Sequence, residues 1–157
     1  MRVGLGLDLH RFAQGRTLRL GGVEIPYERG LAGHSDADVL LHAVMDAALG
    51  AAGLGDIGAH FPPDDDRYRD ADSAALLRGV RDRLGEMGWA VVQVDAVVVA
   101  EAPRLSPYVE RMRARIAEIL DLPVADVAVK ATTAEGMGAI GRGEGIQAIA
   151  VVLLERV

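Results

Sequence analysis

The alternation of apolar and polar side chains predicts four main strands. Apolar residues alternate with small or polar ones up to His10, and the even positions from Val92 to Ala100 form one apolar face, as in a strand. The last strand is apolar on both faces. The predicted strands are Val3–His10, Trp89–Glu101, Asp126–Ala131 and Ile146–Leu154. A short hairpin over 17–25 is expected to turn at Gly21-Gly22.

Helical patterns separate these strands in three places. Ser35 or Asp36 is the candidate N-cap of the first helix, and Ser106 followed by Pro107 begins the third. Glycines close the first two helices, as is common at helix ends. The predicted helices are Asp36–Ala52, Ala71–Met87 and Ser106–Leu120.

Together these elements predict an α/β (α+β) fold. We expect a single domain, residues 1–157, with a four-stranded mixed sheet and helices on one face. Three helices can cover only one side of a small sheet. Because Ile146–Leu154 is apolar on both faces, the other side is expected to pack against another copy of the chain in a homo-oligomer.

Composition argues against several classes of function. The formal net charge is −6, whereas a nucleic-acid-binding protein normally carries a basic face, so no nucleic acid partner is expected. The absence of cysteine leaves no disulfide framework and no thiolate metal site. The apolar runs are too short to span a membrane, and the chain opens on a strand pattern without a signal-peptide core. We therefore expect a cytoplasmic protein with no membrane partner.

Three residues suggest a metal site. Asp8 and His10 are two apart on the first strand, so their side chains project from the same face. His42 on the first helix can supply a third ligand. Three protein ligands leave the fourth tetrahedral position of zinc free, which is typical of a catalytic site. A single histidine on an apolar face is more often a hydrogen-bonded core residue, and His60 fits that description.

The first helix carries a narrow polar stripe on otherwise apolar faces. Asp38, His42 and Asp46 recur at intervals of four. Such a stripe is usually a solvated face, but its narrowness here favours a lined cavity. Asp46 is placed to hold the His42 imidazole, a common arrangement beside metal ligands.

A second candidate site follows the third strand. Lys130 is the only lysine among seventeen basic residues, and a lysine often contacts phosphate, although codon usage explains most of this bias. Thr132 and Thr133 offer hydroxyl donors for phosphate, and Glu135 suits magnesium bound jointly with substrate phosphates. A plain strand exit with threonines capping the turn remains the alternative.

The glycine-rich segment after Glu135 does not indicate a dinucleotide site. Gly136, Gly138 and Gly141 match the spacing of that fingerprint, but too little chain follows for the helix, strand and acidic residue it requires. We expect these glycines to allow tight turns and close approach of the backbone. Arg142 and Glu144 form either an ion pair or part of an anion site.

Taken together, these segments resemble the 2-C-methyl-D-erythritol 2,4-cyclodiphosphate synthase family over essentially the whole chain. The motifs that carry the resemblance are Gly6-Leu7-Asp8-Leu9-His10, Ala32-Gly33-His34-Ser35-Asp36-Ala37-Asp38, Gly55-Asp56-Ile57-Gly58, Phe61-Pro62, Lys130-Ala131-Thr132-Thr133 with Glu135, and Gly141-Arg142-Gly143-Glu144-Gly145-Ile146.

The resemblance implies a homotrimer with an active site at each subunit interface. It implies cyclisation of 4-diphosphocytidyl-2-C-methyl-D-erythritol 2-phosphate with release of CMP, in non-mevalonate isoprenoid biosynthesis. By this similarity Asp8, His10 and His42 hold Zn²⁺ or a similar divalent cation, and Glu135 holds Mg²⁺ or Mn²⁺ with the substrate diphosphate. His34 and Thr133 match positions that stabilise the transition state.

The resemblance also implies a set of substrate contacts, with Arg142 near a cavity on the threefold axis. These residues are Ser35, Asp56, Ile57, Gly58, Phe61, Pro62, Pro63, Asp64, Asp65, Ala100, Pro103, Arg104, Leu105, Ser106, Ala131, Thr132, Ala134 and Arg142. The chain departs from the family pattern at Ala134, where a third threonine is frequent, at Arg104, where lysine is common, and at Ala139, where an aromatic residue is frequent.

Two other functions remain open from the residues alone. An open zinc position can also activate water, as in a zinc-dependent phosphoester hydrolase, which would release a linear product. A metal-dependent oligomeric scaffold would instead bind its metal with four protein ligands.

Overall fold

A computed structural model describes residues 1–157. Its main sheet has five strands in the order β4-β1-β7-β5-β6, with β5 and β6 parallel and the other neighbours antiparallel. β2 and β3 form a separate hairpin. The strands are β1 Arg2–Ala13, β2 Leu18–Leu20, β3 Val23–Ile25, β4 Gly30–Leu31, β5 Trp89–Val99, β6 Val127–Thr132 and β7 Gly145–Arg156.

The mixed α/β architecture is confirmed, but the sheet has one strand more than predicted. The extra strand β4 has two residues and pairs with Phe12 and Ala13 at the end of β1. A strand this short leaves no readable period in the sequence. The alternation predicted for β5 is also partly wrong: a bulge between Val91 and Gln93 shifts the pattern, so that Val91 is buried and Val92 only half-buried.

Three long helices and two short ones complete the fold. They are α1 Val39–Ala52, α2 Ile57–His60, α3 Ser73–Glu86, α4 Val109–Leu120 and α5 Gly138–Gly141. One-turn 3₁₀ segments lie at Asp66–Tyr68, Ser106–Tyr108 and Val124–Asp126.

Two of the predicted N-caps are wrong. α1 begins after Asp38, whose carboxylate accepts the backbone N–H of Leu41, instead of after Ser35 or Asp36. Asp38 is fully buried and also accepts the N–H groups of Gly21 and Gly22, so it ties the β2–β3 hairpin to α1. Ser106 and Pro107 begin a 3₁₀ turn, and the regular helix starts at Val109.

One face of the sheet is covered by the helices and the other is open. Side chains at alternate positions of β5, β6 and β7 join the helices in a single aliphatic core. On the open face, Val3, Leu5, Leu7 and Leu9 of β1 are each at least 50% exposed. Apolar side chains in a row on a sheet face are typical of a surface that another chain covers.

Candidate active site

The close approach of β1 to α1 creates the site. Gly4 and Gly6 face the helix, and a Cβ atom built on Gly6 would lie 2.0 Å from the carbonyl oxygen of Ala43. Only glycine allows backbone contact this close. Asp8 and His10 follow on the same face of β1, and α1 presents His42 one residue before Ala43.

The three predicted metal ligands converge. Asp8 Oδ2 lies 2.8 Å from His10 Nε2 and 3.0 Å from His42 Nδ1, and the two ring nitrogens are 3.3 Å apart. Ligand atoms about 2.0–2.1 Å from a tetrahedral metal are about 3.3 Å from one another. The donor set of one carboxylate and two imidazoles therefore fits a divalent metal ion, and the group could hold one.

Hydrogen bonds on the outer side of each imidazole define its orientation. His10 Nδ1 donates to the carbonyl oxygen of Ala32 at 2.5 Å, which directs its Nε2 atom at Asp8. His42 Nε2 lies 3.0 Å from Ser73 Oγ and 3.2 Å from Ser35 Oγ.

Asp46 does not make the contact predicted for it. Its carboxylate accepts the backbone N–H of Ile57 at 2.8 Å, while the hydrogen-bonding partners of the His42 ring are Asp8, His10, Ser35 and Ser73. The spacing of four places Asp46 one turn beyond His42, but the start of α2 needs an acceptor for its free N–H group. Burial raises the pKa of Asp46, and the hydrogen bond from Ile57 only partly opposes this effect.

The charges of the cluster favour ionised Asp8. Burial alone would raise the pKa of its carboxyl, but the hydrogen bonds and charges of His10 and His42 outweigh burial and lower the pKa to about 2. For His10, burial lowers the pKa, but the hydrogen bond and charge of Asp8 raise it by more, so the pKa lies above its ordinary value.

The cluster lies in a cavity of about 240 Å³ that also contains predicted substrate contacts. The cavity is lined by Asp8, His10, His34, Ser35, His42, Ile57, Gly58, Phe61, Pro63, Tyr68 and Leu76. Sequence reasoning missed Tyr68 and Leu76. Tyr68 is one of the few aromatic residues of the protein, and that scarcity is the only sequence signal for it. In the structure its ring meets that of Phe61 edge-on at 5.3 Å.

Four other residues predicted in this region lie outside the cavity lining, and two of them have local hydrogen-bonding roles. Asp56 caps α2 by accepting the N–H of Ala59. Asp65 pairs with Arg67, and its backbone carbonyl accepts a hydrogen bond from His34 Nε2 at 3.1 Å. Pro62 and Asp64 also lie outside the lining.

A second cavity, of about 250 Å³, lies beyond the ends of β5 and β6. It is lined by Ala100, Glu101, Pro103, Arg104, Leu105, Ser106, Ala131, Thr132 and Thr133. Of these residues only Glu101 was not predicted as part of the site. Its carboxylate accepts the backbone N–H of Ala134 at 2.8 Å, so it shapes the loop after β6. No residue lines both this cavity and the metal-ligand cavity.

The remaining predicted residues lie outside both cavities. Glu135 is exposed, with its carboxylate accepting the hydroxyl of Thr133 at 3.2 Å. Arg142 forms an exposed ion pair with Glu144. Lys130 pairs with Asp95 and does not line either cavity, so nothing within one chain supports its suggested contact with phosphate.

His60 agrees with its description as a hydrogen-bonded residue, because its Nε2 atom lies 2.9 Å from the carbonyl oxygen of Leu54. None of the helices has the length and apolar character needed to cross a membrane.

The chain is similar to known proteins over nearly its whole length. The model of the YgbB family matches residues 1–155. A 2-C-methyl-D-erythritol 2,4-cyclodiphosphate synthase of Moorella thermoacetica is 59% identical over 154 residues, covering 98% of this chain and 94% of that protein.

Solved structures show the same fold. The bifunctional IspDF from Campylobacter jejuni matches with a TM-score of 0.96 and 42% identity over 99% of this chain, which spans only 42% of that longer protein. A 2C-methyl-D-erythritol-2,4-cyclodiphosphate synthase in its CDP-bound form matches with a TM-score of 0.90 and 37% identity, covering 98% of this chain and 100% of that one. Because sequence and fold agree along nearly the whole length, the chain belongs to the YgbB family.

Proposed function

We propose that this chain cyclises 4-diphosphocytidyl-2-C-methyl-D-erythritol 2-phosphate to 2-C-methyl-D-erythritol 2,4-cyclodiphosphate, as an enzyme of non-mevalonate isoprenoid biosynthesis. The observation that carries the proposal is the Asp8–His10–His42 group, which lies in one cavity with His34 and the α2 segment. In this reaction an oxygen of the 2-phosphate attacks the β-phosphorus. The bond from that phosphorus to the bridging oxygen breaks, and CMP leaves with that oxygen.

The residues present suit this chemistry because phosphoryl transfer depends mainly on positioning and charge neutralisation. We assign Zn²⁺ to Asp8, His10 and His42, and Mg²⁺ or Mn²⁺ to Glu135 with the substrate, where bound metals would offset the negative charge of the phosphates. His34 is held by its hydrogen bond to the Asp65 carbonyl, which orients its ring at the cavity.

The second cavity is proposed to bind the cytidine end of the substrate. Ala100, Ala131 and Thr132 line it at the ends of β5 and β6, and Arg104, which also lines it, donates to Ser106 Oγ at 2.9 Å. The CDP complex of the related synthase supports a cytidine nucleotide as the ligand. Thr133 lines this cavity and offers a hydroxyl to the diphosphate.

We further propose that the protein is a homotrimer in the cytoplasm, with each active site built from two subunits. The exposed apolar row Val3, Leu5, Leu7 and Leu9 supports burial of the open sheet face against other copies. Since the two cavities share no lining residue, one subunit can supply the metal ligands and its neighbour the cytidine pocket.

Phosphorus NMR of the protein with substrate, zinc and magnesium tests the reaction directly. We expect CMP together with a cyclic diphosphate. CMP with a linear bisphosphate would identify a hydrolase instead, and bound metal without any turnover would indicate a scaffold.

His42→Ala should abolish turnover and leave the oligomer mass unchanged; loss of the oligomer would mean that the metal is structural.

Complementation between two inactive variants tests the shared site. His42→Ala damages the metal-ligand cavity and Thr133→Ala the second cavity. Co-expressed in equal amounts, they should regain about one quarter of wild-type activity if each site joins two subunits at random. Activity that stays at the level of the single variants would place the whole site within one chain.

A further inference from the structure

His42 has different partners on its two ring nitrogens. Nδ1 faces Asp8 Oδ2 at 3.0 Å, while Nε2 faces Ser73 Oγ at 3.0 Å and Ser35 Oγ at 3.2 Å. A neutral imidazole carries one N–H and one lone pair. For Nδ1 to offer its lone pair to a metal, Nε2 must carry the proton and donate it to a hydroxyl oxygen.

Ser73 is suited to accept that proton because its own proton is already committed. Its hydroxyl donates to Asp36 Oδ1 at 2.5 Å, and its backbone N–H donates to Asp36 Oδ2 at 3.1 Å. Ser73 is fully buried at the first turn of α3, so its geometry is set by packing. With its proton directed at a carboxylate, Ser73 Oγ presents lone pairs to His42.

Ser35, in contrast, does not favour one tautomer of His42 over the other. Its oxygen accepts the N–H of Ala37 at 3.2 Å, and no carboxylate receives its own proton. Ser35 is therefore free either to accept from His42 Nε2 or to donate to it. Donation from Ser35 would favour a proton on Nδ1, which is the form that cannot bind a metal there.

We propose that Ser73 and Asp36 are positioning residues for His42, and that the chain Nε2–H to Ser73 to Asp36 keeps the Nδ1 lone pair aimed at the metal position. This inference rests on the metal-binding role proposed above for the Asp8–His10–His42 group. The role predicted for Asp46, which was to hold the His42 imidazole, is therefore assigned to Asp36. Asp36 precedes α1 and acts through Ser73 on α3. Removal of a carboxylate that orients a metal-ligating histidine typically weakens metal binding 10–100-fold.

The first test is zinc affinity, measured by chelator competition on the purified protein. Ser73→Ala and Asp36→Ala should each weaken zinc binding about 10-fold or more. Asp72→Ala is the matched control. Asp72 caps the same end of α3 by accepting the N–H of Ala74 at 3.0 Å, and it is not among the hydrogen-bonding partners of His42. This control should unfold more easily while its zinc affinity stays unchanged.

The second test reads the tautomer without metal. Without metal, the Asp8 carboxylate favours a proton on His42 Nδ1, whereas Ser73 Oγ favours one on Nε2. Ring ¹⁵N NMR of the metal-free protein at pH 8 should therefore find the same mixture of the two tautomers in the wild type and in Asp72→Ala. In Asp36→Ala the freed Ser73 hydroxyl can donate, so the population protonated on Nδ1 should rise. Unchanged tautomer and zinc affinity in both Ser73→Ala and Asp36→Ala would overturn the proposal. A rise of the Nδ1-protonated population in Asp36→Ala, in a protein that binds no zinc, would refute the proposed metal and leave the relay standing.

Discussion

At the scale of single residues, the site is a compact set of polar groups whose partners are nearly all inside the protein. The Asp8 carboxylate lies between two imidazoles, and each imidazole has a further partner on its outer side. Residue type and strand spacing were enough to predict Asp8, His10 and His42 as a group. They were not enough to predict Ser73, because nothing in the sequence relates it to a histidine 31 positions away.

The charge pairing of Asp8 and His10 predicts how stability depends on pH when a chelator removes metal. The pKa of Asp8 is lowered to about 2, so its stabilisation is present above its unfolded value of 3.8 and is lost as the pH falls through about 2. The pKa of His10 is raised, so its stabilisation is complete below 6.5 and is lost as the pH rises through the raised value. These two groups therefore favour stability between about pH 4 and 6.5.

Urea denaturation in the presence of a chelator checks this expectation. Between pH 5.5 and pH 8 the free energy of unfolding should fall by on the order of 1 kcal/mol, a small effect because solvent screens the partly exposed pair. Asp8→Asn should flatten this dependence. Added zinc should reverse it, since the imidazole nitrogens must be free of protons to bind metal. A metal-free wild type that gains stability towards pH 8 would contradict the pairing.

At the scale of elements, the contact of α1 with β1 positions the site more than any other packing. Helix periodicity located α1, but its first turn was predicted three residues too early. The early residues Ser35 and Asp36 contact His42 and Ser73 instead of capping the helix. Several polar residues before a helix are equivalent candidates in sequence, and only packing selects the one whose carboxylate reaches the free N–H groups.

Gly6→Ala tests the helix–strand contact. The added methyl would meet the Ala43 carbonyl and the Ala47 amide, so α1 must shift away from β1. We expect a loss of about 1–3 kcal/mol in the free energy of unfolding. Zinc binding should also weaken, because His42 moves with the helix.

The matched control is Gly50→Ala on the same helix, where a methyl group meets no atom within 4 Å. It should leave zinc affinity unchanged and stabilise the protein by about 0.5–1 kcal/mol through higher helix propensity. Thermal denaturation and chelator competition measure both quantities. Equal behaviour of the two variants would show that close backbone approach does not position the site.

At the scale of the whole molecule, the open sheet face is the feature that the single chain leaves unexplained. Leu5 is 69% exposed and Val3 68% exposed in the first half of the 12-residue strand β1. The apolar character of the last strand predicted an uncovered face, and the structure adds that most of its exposed apolar surface comes from β1. Asp95 and Lys130 form an exposed charge pair on this side of the sheet.

Leu5→Lys tests the role of this face. A charge at the centre of a buried apolar interface should reduce the solution mass from about three times 16.6 kDa to that of one chain, and turnover should be lost with it. Light scattering after size exclusion measures the mass. Met87→Lys, at an exposed position 42% accessible after α3, should leave it unchanged. A wild type that is itself monomeric and active would overturn the trimer.

The sequence by itself determined the elements of this protein and the chemical types of its site. Strand and helix periods depend on neighbouring residues, so the four long strands, the three long helices and the Asp8/His10 pair were all readable from the chain. Tertiary structure alone decided which polar group serves which partner: Asp46 bonds to Ile57, and Asp36 reaches His42 through Ser73. The physical reason is that such contacts join residues distant in sequence, and their geometry exists only once the helices have packed on the sheet.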